Sequence, residues 1–219
     1  MADLSGLNPQ QRKAASTIEG PVLILAGAGT GKTRTLTHRV GYMISRGISP
    51  ENILAVTFTN KAAREMQKRV LKLIPKRRSD DDGKPLKPTI CTFHSLCVRI
   101  LRRHIDKLGY KRNFVIYSES EQLGVVKKIL AAITGKDVKA DPRELHALLS
   151  RIKNAGPNRQ VFGDEDSLAM AETLRRRYDT ALKACNAVDF DDLLVLALRL
   201  FEEHPEALEQ CRARYRYVM

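Results

Sequence analysis

Apolar residues in this 219-residue chain fall into short β-rich runs that alternate with longer segments of helical periodicity. The short runs predict strands at 21–25, 53–58, 89–93 and 114–117. Helical patterns follow these runs, at 34–46, from 62 to about 74, at 94–108 and at 120–133. Strand and helix in alternation predict an α/β fold, in which a parallel sheet carries helices on both faces.

The composition changes after Tyr117, because the segment 118–187 shows helical periodicity and no convincing strand. It predicts an all-helical subdomain, with one helix begun by an Asp141 capping box and another at 167–185. The α/β domain is therefore predicted to comprise 1–117 and 188–219, and the chain closes on the start of a strand at 215–219. The proline-bounded, charged stretch 75–85 predicts a solvated loop.

A glycine-rich turn, Ala26-Gly27-Ala28-Gly29-Thr30-Gly31-Lys32-Thr33, joins the first predicted strand to its helix. Residues without a Cβ let the backbone wrap a polyphosphate, and the helix N-terminus adds its positive dipole end. An ordinary glycine-rich turn is the alternative, but Gly-Lys-Thr in register after a strand favours a P-loop for ATP and Mg²⁺. Lys32 would serve the β- and γ-phosphates and Thr33 would ligate Mg²⁺. The predicted nucleotide contacts in this segment are Ala28, Gly29, Thr30, Gly31, Lys32 and Thr33.

The chain is strongly basic, with 38 Lys and Arg against 25 Asp and Glu, a net charge of +13. A merely basic protein is the alternative, yet beside a P-loop this charge favours a nucleic-acid partner. The four cysteines form no C-x-x-C pair, which is typical of reduced thiols in a cytosolic protein. No signal peptide begins the chain and no apolar run reaches the roughly 20 residues of a membrane span, so we expect a cytoplasmic protein without membrane contacts.

An acidic cluster at Asp189, Asp191 and Asp192 suggests either a metal site or the start of a helix. Acidic side chains at a helix N-terminus are favoured by capping and by the helix dipole. We therefore interpret this cluster as a helix start rather than as a metal centre.

Several stretches together resemble the UvrD/Rep/PcrA family of superfamily-one DNA helicases. The segment 7–11 resembles its adenine-reading Q motif, and 26–34 resembles motif I. The segments 55–63 and 92–96 resemble motifs Ia and Ib, which line the DNA path, and 189–194 resembles the point where the chain re-enters the first domain. The likeness covers nearly the whole chain, and it implies a RecA-like P-loop fold in the N-terminal part of a helicase.

The resemblance assigns roles that the side-chain chemistry can support. Gln11 would read adenine, because an amide offers both a donor and an acceptor, although a solvated surface amide is the alternative. Arg34 would lie near the nucleotide. Phe58 and Phe93 would stack on bases, with packing in the core as an equal alternative, and His94 would cap a helix or contact a phosphate. The implied single-stranded DNA contacts are Thr57, Phe58, Thr59, Asn60, Lys61, Thr92, Phe93 and His94.

The parent protein would be an ATP-dependent helicase with 3′→5′ polarity, whose partners are single-stranded DNA, duplex junctions and the C-terminal part of the same protein. Family members carry an acidic pair on the strand that 215–219 would begin, and a second RecA-like domain beyond it. We therefore expect these 219 residues to be an N-terminal fragment that does not hydrolyse ATP alone. A non-catalytic nucleotide- or DNA-binding module, or the helicase part of a recombination helicase–nuclease, are the alternatives.

Overall fold

A parallel sheet with β1 (Ile53–Thr57) at its centre organises the first part of the molecule. The computed structural model describes residues 3–74, 86–133, 141–155 and 165–219, with only the backbone of 133 and 165–171. β2 (Thr89–Thr92) pairs with one edge of β1 and β5 (Tyr217–Val218) with the other, both parallel to it. The register sets Thr57 opposite Thr92, so these two strands end side by side. The parallel α/β arrangement predicted from the sequence is confirmed for these strands.

Three helices belong to the same part of the chain: α1 (Pro9–Ser16), α2 (Lys32–Ser45) and α3 (Asn60–Leu73). The apolar sides of α2 and α3 cover one face of the sheet, as their helical periodicity requires. Helices on the opposite face stay a prediction. The buried core on the covered face consists of Val40, Met43, Ile44, Ile53, Ala55, Met66, Val70 and Ile90.

The predicted strand at 21–25 is wrong, because no strand is assigned to this segment. An apolar run becomes a strand only where a neighbouring strand supplies hydrogen bonds, and none of the described strands pairs with 21–25. Leu23 and Leu25 are accordingly 83% and 87% exposed. The segment still leads directly into the glycine-rich turn and then into a helix, so only the strand itself was predicted wrongly.

The second part of the described chain is mainly helical, and two short parallel strands frame its central block. β3 (Val115–Ile116) pairs with β4 (Ala187–Val188), and the described residues between them form helices with short connections and no strand. Those helices, α5 to α7, share one apolar core that includes Leu149, Leu174 and Tyr178. The helices in chain order are α4 (Phe93–His104), α5 (Glu119–Ile133), α6 (Pro142–Asn154), α7 (Glu165–Ala184), α8 (Phe190–Glu203) and α9 (Pro205–Arg214).

Several predicted boundaries move by a few residues for local reasons. The helix predicted at 94–108 ends as α4 at His104 and continues as a 3-10 turn, Ile105–Leu108, before Gly109. Asp141 caps α6 by accepting the Arg143 N–H at 2.8 Å, without the reciprocal bond of the predicted capping box. The predicted loop at 75–85 lies outside the described residues.

The chain divides into two compact units, one formed by Met1–Phe93 with Glu209–Met219 and the other by His94–Leu208. The predicted division, with 118–187 inserted between 1–117 and 188–219, has boundaries that differ from those of the two compact units. It stays a prediction. Across the described parts of the chain, every helix is too short or too polar to cross a lipid bilayer.

Candidate nucleotide and DNA sites

Two left-handed glycines shape the turn that leads into α2. Gly29 has a φ of +76°, and Gly31, the N-cap residue of α2, has a φ of +86°. Side chains with a Cβ rarely adopt this conformation, so glycine is required by the backbone itself at these two positions of the motif. Lys32 and Thr33 then follow as the first two residues of α2, at its positive end.

The Lys32 side chain folds back over the turn that precedes it. Its ammonium donates hydrogen bonds to the carbonyl oxygens of Ala26, at 2.8 Å, and Gly27, at 2.6 Å. The Thr30 hydroxyl donates to the same Gly27 oxygen at 2.8 Å. These bonds hold the positive charge beside the glycine-rich backbone, which is where a bound polyphosphate would require it.

A cavity of about 380 Å³ lies between α1 and the glycine-rich turn. Its volume falls within the range of small-molecule sites, which is about 300–1,000 Å³. Helix α1 contributes Gln10, Gln11 and Ala14, and the turn contributes Ala26, Gly27, Thr30 and Lys32. The structure thus brings the predicted adenine reader and the predicted phosphate-binding lysine to one cavity.

Gln11 also has a structural role that the sequence analysis missed. Its side-chain amide donates to the Thr30 carbonyl at 2.9 Å and accepts from the Asn8 N–H at 3.1 Å. The second contact completes a capping box, in which Asn8 accepts the Gln11 N–H at 2.8 Å. The Asn-x-x-Gln spacing was the available signal. A primary amide has two donors and two acceptor positions, so one of each is left for a base.

Thr33 and Arg34 occupy different surroundings. Thr33 is exposed and lines a second, smaller cavity together with Thr57 and Glu65. Hydroxyl and carboxylate oxygens are ligands that Mg²⁺ prefers, but Glu65 is already paired with Arg69 and most of this lining is apolar, so a Mg²⁺ ligand role of Thr33 stays a prediction. The Arg34 guanidinium lies against Gly6, where an added Cβ would meet its Nη2 at 2.8 Å. A nucleotide contact of Arg34 stays a prediction.

Two exposed aromatic rings mark the carboxyl ends of β1 and β2. Phe58 is 92% exposed and Phe93 is 44% exposed, and their ring centroids are 6.0 Å apart. Their position just beyond the paired residues Thr57 and Thr92 brings them together. The alternative of packing in the core is wrong for Phe58, and exposed paired rings are what stacking on unpaired bases requires.

The polar residues predicted to bind DNA differ in their accessibility. Asn60 and Lys61 are exposed at the start of α3, while Thr59 caps that helix by accepting the Ala62 N–H at 3.1 Å. Thr92 is only 7% exposed, so its side chain is buried and is not presented on a free surface. His94 belongs to the second unit, where its ring lies 5.2 Å from the Phe190 ring.

The acidic cluster caps a helix, which confirms that interpretation. Asp189 is the N-cap residue of α8 and forms a reciprocal capping box with Asp192. The partner of this capping box was not predicted from the sequence: it is Lys153 of α6, whose ammonium lies 2.9 Å from Asp189 and 2.7 Å from Asp192. No local pattern links residues that lie 36 and 39 positions apart.

Comparison with known families settles the relationship of this chain. The profile of the UvrD/REP helicase N-terminal domain matches residues 7–219. The chain belongs to this family. The resemblance found in the Q-like, P-loop and later motifs is therefore confirmed, and the mixed α/β architecture is that of a UvrD/REP N-terminal domain.

Two curated relatives of this UvrD/REP domain are considerably longer than the chain. The chain is 41% identical over 219 residues to the ATP-dependent DNA helicase PcrA of Staphylococcus aureus strain Mu50, covering 98% of this chain and 29% of the relative. It is 42% identical over 221 residues to the protein of the same name from Bacillus subtilis strain 168, with the same coverage. The chain thus spans under a third of the length of these relatives and corresponds to their N-terminal part.

Proposed function

We propose that this chain is the ATP-binding and single-stranded-DNA-binding part of a DNA helicase that moves 3′→5′ along a strand. The observation that carries the proposal is that one unit holds both a cavity between Gln11 and Lys32 and an exposed pair, Phe58 and Phe93. The relatives are ATP-dependent DNA helicases by name, and an activity of that kind uses both a nucleotide and a DNA strand.

At the nucleotide site, Lys32 binds the β- and γ-phosphates while the backbone N–H groups of Ala28 to Gly31 surround them. Gln11 uses its remaining donor and acceptor on the adenine edge. Thr33 supplies one oxygen ligand to Mg²⁺, which neutralises phosphate charge when bound. Each of these groups binds and orients the nucleotide, and none of them activates water.

At the DNA site, Phe58 and Phe93 stack on unpaired bases, and Asn60 and Lys61 contact phosphates. Ligands of parallel sheets bind at the carboxyl ends of strands, which is where these residues lie. Duplex junctions and the remaining part of the helicase are further partners in this proposal. For the 219-residue chain by itself we propose ATP binding without sustained hydrolysis, because the residues assigned to the nucleotide site bind and orient the nucleotide and none of them activates water.

Nucleotide binding tests the first half of the proposal. We expect a fluorescent ATP analogue with Mg²⁺ to bind the chain, and Lys32→Ala to weaken binding about 10- to 100-fold, as for loss of a charged hydrogen bond of about 1.5–3 kcal/mol. Lys13→Ala is the matched control, because Lys13 is an exposed lysine of α1 outside the cavity lining. Fluorescence titration gives the affinities, and competition by ATP and GTP tests base selection.

Equal binding by Lys32→Ala and the unmodified chain would contradict the nucleotide assignment. Steady turnover of ATP by the 219-residue chain that is abolished by Lys32→Ala would contradict the proposed lack of hydrolysis. Equal competition by GTP and ATP would remove the role of Gln11 in reading adenine.

A further inference from the structure

Helix α3 presents a row of cations on the side opposite its buried face. Lys61, Arg64, Lys68 and Lys72 are all exposed and follow one another at intervals of three, four and four residues. Residues at these spacings lie on one face of a helix, whereas Ala63, Met66 and Val70 face the core. These four cations are called the α3 basic row below.

The α3 basic row carries positive charge that the described residues leave uncompensated. Its four members form no ion pair with any described carboxylate. Glu65, the acidic residue within this stretch, is instead neutralised by Arg69. By contrast, Lys153 and Arg112 are each paired with a carboxylate. An unpaired row of this kind is suited to a line of phosphates.

The row begins where the proposed DNA site ends. Thr59 caps α3, Lys61 is its second residue, and the exposed ring of Phe58 immediately precedes the cap. From Lys61 to Lys72 the helix rises about 17 Å, at 1.5 Å per residue. That is about five nucleotide steps of a strand at 3.4 Å each.

We propose that the α3 basic row binds the phosphate backbone of the DNA strand that continues beyond the bases stacked on Phe58 and Phe93. Arg64, Lys68 and Lys72 are the new contacts, and the strand is single-stranded because the two rings can stack only on unpaired bases. This inference rests on the proposed DNA site and extends its footprint along α3. The contacts carry no base specificity, since phosphates are the same at every position.

The test compares a short and a long labelled oligonucleotide across a salt series. Oligo-dT of 6 nucleotides, with two bases on the rings, leaves about four steps of 3.4 Å and ends short of Lys72, whereas oligo-dT of 24 nucleotides covers the whole row. The triple variant Arg64→Gln, Lys68→Gln, Lys72→Gln removes three phosphate contacts. We expect its log K versus log[salt] slope on the 24-mer to fall by about 2, at roughly 0.7 per single-strand contact. This is on the order of 100-fold weaker binding at 0.1 M salt, with a smaller loss on the 6-mer.

A second triple variant serves as the control for net charge. Lys127→Gln, Lys128→Gln and Arg143→Gln remove the same charge from exposed positions on α5 and α6. We expect this variant to keep the slope of the unmodified chain. Circular dichroism melting checks that neither variant has lost its fold, and we expect both to stay folded because all six residues are exposed.

Three results would overturn the inference. They are an equal loss of slope in the control variant, an equal loss on the 6-mer and the 24-mer, and a loss that appears only on a blunt 24-base-pair duplex. The failure of the underlying DNA site is distinguishable. If neither oligonucleotide binds the unmodified chain, both proposals fall. If the long one binds and Phe58→Ala weakens it while the α3 variant binds normally, the inference about α3 alone falls.

Discussion

At the residue scale, Lys153 is a buried charge surrounded by carboxylates. Its side chain is 5% exposed and lies within 3.2 Å of carboxylate oxygens of Asp179, Asp189 and Asp192. Burial opposes its charge, but the three carboxylates raise the pKa of Lys153 overall. Burial raises the pKa of Asp192 to about 6, against the lowering effect of Lys153. The ammonium thus joins α6 and α7 to the capping box of α8.

Removing Lys153 tests this network. A buried charge left without its partner costs about 3–5 kcal/mol, so Lys153→Ala should lower the free energy of unfolding by an amount in that range. Urea denaturation at pH 7 measures the loss. Lys127→Ala, at an exposed position on α5, is the control and should change the stability little. A loss no larger than that of Lys127→Ala would show that the network does not stabilise the fold.

Residue roles were predictable from the sequence where the signal is local. The capping by Asp189 follows from acidic residues at a helix start, and the P-loop lysine follows from its motif. Lys153 was not predictable, because its partners are distant in sequence and become neighbours only after the helices pack. Gln11 lies between these cases, since its capping spacing is visible but its bond to Thr30 depends on the folded turn.

At the element scale, Arg39 of α2 connects that helix to the end of α1 through hydrogen bonds. Its guanidinium, with the residue 9% exposed, donates to the carbonyl oxygens of Ala14 at 2.9 Å and of Thr17, at the C-terminal end of α1. These carbonyls have no hydrogen-bond partner within their own helix, and they form the negative end of the helix dipole. Because α1 also lines the nucleotide cavity, Arg39 supports that cavity without touching it.

Arg39→Met should loosen α1 and weaken nucleotide binding indirectly. Loss of charge-assisted hydrogen bonds predicts a stability decrease of about 1.5–3 kcal/mol, with faster hydrogen exchange at α1 amides. Exchange followed by mass spectrometry and the fluorescent-nucleotide titration measure both effects. Arg46→Met is the control, as Arg46 is an exposed arginine at the end of α2. Unchanged exchange in α1 would mean that Arg39 does not hold this helix.

Element types followed from periodicity in most of the chain, and the exception is informative. The runs at 53–57 and 89–92 form strands because each finds a parallel neighbour. The run at 21–25 has the same apolar character but pairs with no described strand, so composition alone misassigned it. Strand formation depends on a partner, which a local pattern does not contain.

At the scale of the whole molecule, the basic charge and the positions of the sites agree. The net charge of +13 predicted a polyanionic partner, and uncompensated cations occur beside the exposed aromatic pair. The sequence identified both rings but left their role open, because an aromatic residue at the end of a strand can be buried or exposed. The paired strands end at Thr57 and Thr92, so Phe58 lies just beyond the sheet, and its ring is exposed and not buried.

The central claim is that one unit binds nucleotide and single-stranded DNA at separate places. Fluorescence anisotropy with labelled oligo-dT tests it most directly, using the double variant Phe58→Ala, Phe93→Ala beside Lys32→Ala. Stacking contributes about 1–3 kcal/mol per base, so the double variant should bind DNA at least about tenfold more weakly, while Lys32→Ala should bind it within about twofold of the unmodified chain. Unchanged DNA affinity in the Phe58→Ala, Phe93→Ala variant would contradict the account.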